Sequence, residues 1–146
     1  MKIYLDTSSL FKLYHREADT AEHEQNLSFI TITSILLSEI TKVEFTSTVW
    51  KKVRTKEITE IEAQTTLDLF ESDFGKYHFI TTDSIIIEQA RLLTSKYGIQ
   101  GLRTLDSIQL STAVSLFRQV DKFFTADNLL QSLFIAENLP TNLPIN

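Results

Sequence analysis

Four acidic residues stand where a chain of alternating strands and helices would gather them. Asp6 ends the apolar run Lys2-Ile-Tyr-Leu and is followed by the hydroxyls Thr7, Ser8 and Ser9. Asp127 ends a second run of the same kind, Lys122-Phe-Phe-Thr125-Ala-Asp127. Asp106 lies in the first turn of an apolar helix pattern behind a loop holding Gly101, and Glu44 lies early in another, next to Val43. Any one of these acids alone reads equally well as a helix cap or as a dipole-complementing charge. Brought to one sheet edge, they would repel one another and their pKa values would rise, unless a divalent cation relieved them. Oxygen-only ligation, with no cysteine and no paired histidine, points to Mg²⁺ or Mn²⁺ rather than zinc. The chemistry such a site supports is metal-assisted hydrolysis of a phosphodiester.

The elements that must position these acids follow the same alternation. Lys2–Asp6 is a short β-forming run bounded by an acid and hydroxyls, which reads as a buried strand. A short helix is expected from Ser9 to His15 and another from Thr20. A second strand is expected at about Ser34 to Leu37, then a helix from Glu39 to Arg54 capped by Ser38, with Ile40, Val43, Ser47, Trp50 and Val53 on its inner face. Thr59-Glu-Ile-Glu62 is a capping box opening a helix that Gly75 stops. His78–Thr81 reads as the third strand. Thr82 or Asp83 caps the next helix, with Ile86, Ala90, Leu93 and Tyr97 inside and Gly98 as its C-cap. A helix from Thr104 to about Phe117, the strand Lys122–Thr125 and a helix through Leu129, Leu130, Leu133 and Phe134 complete the pattern, and Pro140 and Pro144 lie in the tail. Asp83 and Asp121 read as a cap and a loop acid. Strands alternating with helices give an α/β fold: a single Rossmann-like domain over residues 1–146 with a mostly parallel central sheet flanked by helices.

Composition bounds the partners. At 146 residues, with 42% hydrophobic and 23% charged residues, the chain has the makeup of one globular domain with a real core. It has no cysteine, no apolar run long enough to span a bilayer and no signal-peptide pattern, so a cytoplasmic protein without membrane contact is expected. All three glycines lie at or after Gly75, which excludes a phosphate-binding Walker loop and a GxGxxG turn. A net charge of −5 argues against a protein that coats nucleic acid nonspecifically, but not against a nuclease whose acids bind cations. Lys51, Lys52, Arg54 and Lys56 form the densest basic patch. It reads as cations complementing a helix C-terminus or as a rim contacting substrate phosphates, and Lys12 and Arg16 are equally placed candidates. Trp50 reads as core.

Four ordered segments resemble PIN-domain ribonucleases, in particular the VapC-type toxins of bacterial type II toxin–antitoxin pairs. They are Leu5-Asp6-Thr-Ser-Ser-Leu-Phe-Lys-Leu-Tyr14, Val43-Glu44-Phe-Thr-Ser-Thr-Val49, Leu102-Arg-Thr-Leu-Asp106-Ser-Ile-Gln-Leu-Ser-Thr-Ala113 and Phe123-Phe-Thr-Ala-Asp127. The resemblance runs from Ile3 to about Asn138. It implies a PIN-like fold, Mg²⁺- or Mn²⁺-dependent endoribonuclease activity on an RNA substrate, a homodimer, and a small antitoxin that occludes the acidic groove. By position, Asp6, Asp106 and Asp127 match the family's metal-holding aspartates, and Glu44 matches the acid that helps hold metal and orient water. Thr125 and Ser8 match supporting hydroxyls. Glu39 rivals Glu44 for the second acid, although Ser47-Thr48-Val49 fits the family pattern only with Glu44.

Where many relatives carry histidine, this chain has Gln109, three positions after Asp106 and so expected near the site as an RNA contact. Two other readings fit the residues less well. A phosphatase using Asp6 as nucleophile would want an acid at position 8, which is serine, and a lysine near the third acid, where none sits. A PIN fold kept as a weakly active or inactive binding module would be expected to have lost an acid, and all four are present.

Overall fold

The structure is a computed structural model in which residues 1–15 and 31–141 are described. The expected helix start at Thr20 and the candidate contact Arg16 lie outside the described residues. Four strands form one sheet: β1 (Lys2–Leu5), β2 (Ser34–Ser38), β3 (Tyr77–Ile80) and β4 (Lys122–Phe124). Their spatial order is β3-β2-β1-β4 and every pairing is parallel, with Tyr4 opposite Leu36 on one side and Phe123 on the other. The described helices are α1 (Thr7–Phe11), α2 (Thr41–Arg54), α3 (Glu60–Ser72), α4 (Ser84–Tyr97), α5 (Thr104–Ser115) and α6 (Asn128–Ala136). No described helix is long and apolar enough to cross a membrane.

Side chains alternate across a strand, and here the alternation separates two cores. Tyr4, Leu36 and Phe123 face α4, α5 and α6, whereas Ile3, Leu5, Leu37 and Phe124 face α1, α2 and α3. Both faces are therefore covered, as an all-parallel sheet requires. Beyond β4 the tail takes up the sheet edge: the Phe123 amide donates to the Pro140 carbonyl at 2.8 Å.

Local signals set most element ends. The Thr59–Glu62 capping box forms with both reciprocal bonds. Asp83 rather than Thr82 caps α4, accepting from the Ile86 amide at 2.9 Å. Several ends differ from expectation. Asp6 itself caps α1, which therefore starts at Thr7 rather than Ser9 and stops at Phe11. Ser38 ends β2 instead of capping a helix, and α2 begins two residues later than expected, without a side-chain cap. Gly75 sits in a short 3₁₀ turn after α3 has already ended. Gly98 is the C-cap of α4, as expected, but it is right-handed at φ −60°, and the left-handed residue of the turn that follows is Gly101, at φ 103°. The Leu102 amide reaches back to the Tyr97 carbonyl across that turn, which delivers the chain into α5.

The inner face of α2 is also not the expected one. Thr41, Phe45 and Val49 are buried, and Val43 is 72% exposed. Phe45 wins because aromatic partners await it: its ring lies 4.1 Å from Phe70 and 5.6 Å from Phe11, centroid to centroid. Trp50 and Val53 pack partly buried beside that cluster.

Candidate active site

In sequence the chain proceeds from β1 outward to β2 and β3, then returns to the other side of β1 for β4. The order of strands thus reverses between β1 and β4, and open α/β sheets bind ligands at the carboxyl ends of strands at such a point. Asp6 follows β1, and Thr125 and Asp127 follow β4.

Asp6 is buried at 4% exposure and held on both carboxylate oxygens. Its Oδ1 accepts from the Ser9 amide at 2.9 Å, its Oδ2 from the Thr125 hydroxyl at 2.6 Å, and the Ser8 hydroxyl lies 2.9 Å from each. The two hydroxyls are fixed in turn. Ser8 Oγ accepts from the Ala126 amide and Thr125 Oγ1 from the Asp127 amide, both at 3.0 Å. Burial raises the Asp6 pKa to about 7 against these hydrogen bonds, which lower it, and the Glu44 charge adds to the rise.

The other acids come from three helices. Glu44, half-buried on α2, accepts at Oε1 from the Thr7 hydroxyl at 3.0 Å and from the Gln109 amide at 2.8 Å. Burial raises its pKa, the two hydrogen bonds oppose the rise, and the charge of Asp106 supports it. Asp106 lies in the first turn of α5. Burial raises it as well, with Asp127 adding to the shift and Arg103 opposing it. Asp127 is exposed and caps α6, accepting from the Leu130 amide at 2.7 Å. The acids are thus electrostatically linked in the order Asp6, Glu44, Asp106, Asp127.

All four line a single cleft of about 610 Å³. Lys12, Lys51 and Lys52 also line it, together with Glu57. One face of α2 carries a change of sign, from Glu44 past Thr48 to Lys51, Lys52 and Thr55. Lys12 is 8% exposed, Lys51 is exposed, and Lys52 pairs with Glu57 at 3.2 Å. Glu39 lies elsewhere: its carboxylate accepts from the Thr82 amide at 2.6 Å at the far edge of the sheet. Of the two rival acids, only Glu44 reaches the cleft.

A family model described as PIN domain matches residues 3–133. The chain belongs to the PIN domain family. No curated protein sequence matches it significantly. Solved structures similar to this PIN domain include VapC20 of Mycobacterium tuberculosis, a sarcin–ricin loop cleaving toxin, with 12% identity, coverage of 90% of this chain and 94% of that one, and a TM-score of 0.68. VapBC2 of Rickettsia felis, bound to a DNA fragment from its promoter, matches with 18% identity over 97% and 98% of the two chains, at a TM-score of 0.63. A toxin–antitoxin complex from Klebsiella pneumoniae matches with 21% identity over 86% of each chain, at a TM-score of 0.60. At these identities the likeness is one of fold.

The donor chemistry of this PIN domain fits a hard divalent cation. The acids are carboxylates flanked by hydroxyls, and three of them carry raised pKa values that positive charge would relieve. Among the described residues no three acidic or imidazole side chains converge tightly enough to form a ready-made cage.

Gln109 lines the cleft with the acids, as expected, but its amide is engaged by protein groups. Gln109 is 2% exposed and its amide hydrogens are taken by Thr7, Thr41 and Glu44, so it has no donor to offer RNA. Its helix turns it inward because Leu110 and Ala113 beside it enter the core. Sequence reasoning missed Tyr4, Thr7 and Thr41 as parts of the site. Thr7 was visible only as one of three capping hydroxyls, and nothing local marks Tyr4 or Thr41.

Proposed function

We propose that this PIN domain is a divalent-cation-dependent endoribonuclease and the toxin of a type II toxin–antitoxin pair. The observation that carries the reading is the cleft in which four carboxylates meet at the β1–β4 switch point, lined also by Lys12, Lys51 and Lys52. Asp6, Glu44, Asp106 and Asp127 would hold Mg²⁺ or Mn²⁺, which when bound supplies positive charge to the phosphate and lowers the pKa of a water. The protein's own groups do the rest. Ser8, Ser9 and Thr125 clamp Asp6 so that its carboxylate does not turn away from the cleft. Glu44, with Oε1 engaged by protein donors, orients the attacking water with its second oxygen and takes its proton as the phosphorus–oxygen bond to the leaving group breaks. Lys12, Lys51 and Lys52 draw in the flanking phosphates of a single-stranded substrate and offset the repulsion that the acids alone would exert on RNA.

The remaining parts of the reading are what the resemblance to VapC-type toxins implies. The protein acts in the cytoplasm as a homodimer, and a small antitoxin silences it by covering the acidic cleft. The similar complexes from Rickettsia felis and Klebsiella pneumoniae support a protein partner of that kind.

The test is incubation of total cellular RNA with the purified chain in Mg²⁺, Mn²⁺ or EDTA, with Asp6→Asn alongside. Discrete fragments that require both the metal and Asp6 are expected, and the mapped ends identify the substrate. RNA left intact in every lane by folded, antitoxin-free protein would sink the nuclease reading in favour of a binding module.

A further inference from the structure

Beneath the acidic cleft lies a buried polar cluster that links the core of one sheet face to a single carboxylate oxygen. Tyr4, on β1, is fully buried among Leu110, Phe123 and their neighbours, so its ring has one place to be. Its hydroxyl carries a single proton to donate. That hydroxyl donates to the Gln109 side-chain oxygen. Gln109 Nε2 then points away from Tyr4, within 3.1 Å of Thr7 Oγ1, 3.1 Å of Thr41 Oγ1 and 2.8 Å of Glu44 Oε1.

The orientation of this amide follows from its neighbours. Turned over, it would set an oxygen against the Glu44 carboxylate at the distance of a hydrogen bond, with no proton between them. Thr7 cannot take over the task alone. Its single hydroxyl proton is shared between Thr41 Oγ1 at 3.1 Å and Glu44 Oε1 at 3.0 Å, and the Gln109 amide is the donor that lets both threonine oxygens be satisfied. As a result Glu44 Oε1 has two protein donors, while nothing among the described residues bonds Oε2.

We propose that Gln109 is a positioning residue for Glu44: fixed by Tyr4, it pins one carboxylate oxygen so that the other is presented to the cation and water in the cleft. The inference rests on the nuclease reading above. It replaces a surface role for Gln109 with one exerted from below. A group that holds a metal-binding side chain commonly changes metal affinity or activity 10–100-fold when removed, so an effect of about that size is expected here.

The experiment is a double-mutant cycle between Gln109→Met and Glu44→Gln, read as Mn²⁺ affinity by calorimetry on folded protein at one pH, with kcat and KM for RNA cleavage alongside. Gln109→Met keeps length and removes both polar atoms. The expected single-variant result is Mn²⁺ binding weakened about tenfold and kcat lowered about 10–100-fold with KM nearly unchanged. In the Glu44→Gln background the same change has no further effect on Mn²⁺ affinity. Additive losses would overturn the proposal, because they would mean that Gln109 acts on the fold rather than through Glu44. So would a Gln109→Met protein that binds Mn²⁺ and cleaves like the parent.

Gln109→His is the rescue variant, since an imidazole can accept from Tyr4 and donate to Glu44 at once; it is expected to retain activity within a few-fold. If Gln109→Met does not fold, Tyr4→Phe takes its place in the cycle. It removes the anchor of the amide from a position that does not line the cleft, and the same non-additivity with Glu44→Gln is expected. A wild-type protein that neither binds Mn²⁺ nor cuts RNA would overturn the nuclease reading and this inference with it. An active wild type with an additive cycle would overturn this inference alone.

Discussion

Replacing Asp6 by asparagine should stabilise the cation-free protein, and the gain should depend on pH in a particular way. In the native state burial lifts the Asp6 carboxyl from 3.8 to about 7. Between those values the unfolded chain ionises this group while the native protein keeps it protonated. The native state therefore holds more protons, and stability falls as pH rises, by up to about 1.4 kcal/mol per pH unit. Across the whole window the loss from this one group is about 4 kcal/mol at pH 8 relative to pH 4. Asparagine has no charge to desolvate. It remains a good N-cap, its oxygen can still accept from the Ser9 amide, and its amide can donate to the Ser8 and Thr125 hydroxyls, each of which has a second lone pair. Allowing about 1 kcal/mol for the weaker hydrogen bonds of a neutral group leaves a net gain of about 3 kcal/mol at pH 8. For a chain of this size that raises the melting midpoint by roughly 6–12 °C. The assay is urea denaturation of both proteins in EDTA at half-unit steps from pH 4 to 8. The two stabilities should diverge steadily up to about pH 7 and then run parallel. Added Mg²⁺ should recover about 2.7 kcal/mol for the wild type at a hundredfold excess over its dissociation constant, and much less for the variant. Curves that stay parallel from pH 4 to 8 would refute the desolvation argument, whatever the variant does to activity.

Three further outcomes are expected. Asp127→Ala should lower stability by about 1 kcal/mol through loss of the α6 cap, whereas Asp127→Asn should keep the cap; both should lose RNA cleavage, separating the two duties of this residue in paired melting and nuclease assays. Lys51→Ala should leave kcat in place, raise KM a few-fold, and reduce the salt slope of RNA binding by about 0.7, as loss of one contact to a single-strand phosphate does. Gly101→Ala should cost about 1–2 kcal/mol in chemical denaturation, because φ at that position is 103° and a side chain there is strained, not because it lacks room.

Features set by neighbours three or four residues away could be read without a structure. The apolar run before Asp6, the Thr59–Glu62 capping box, the Asp83 cap and the Ile86–Ala90–Leu93–Tyr97 stripe each carry their own explanation in the local chain. Alternating runs of strand and helix then imply the parallel sheet, and with it the end of the sheet where acids following β1 and β4 must emerge.

Tertiary packing decided what local spacing leaves open. Helical periodicity fixes the angle between α2 side chains but not which stripe turns inward, and the Phe11 and Phe70 rings selected Phe45 over Val43. The sequence pattern around Ser47-Thr48-Val49 favours Glu44 over Glu39, but only the fold gives the physical reason: the Thr82 amide holds the Glu39 carboxylate at the sheet edge, away from the cleft. The role of Gln109 depends on partners such as Tyr4 and Thr7, each more than a hundred residues away in the chain. A buried amide must satisfy both of its ends, and which groups meet them is settled only when β1, α1, α2 and α5 close on one another.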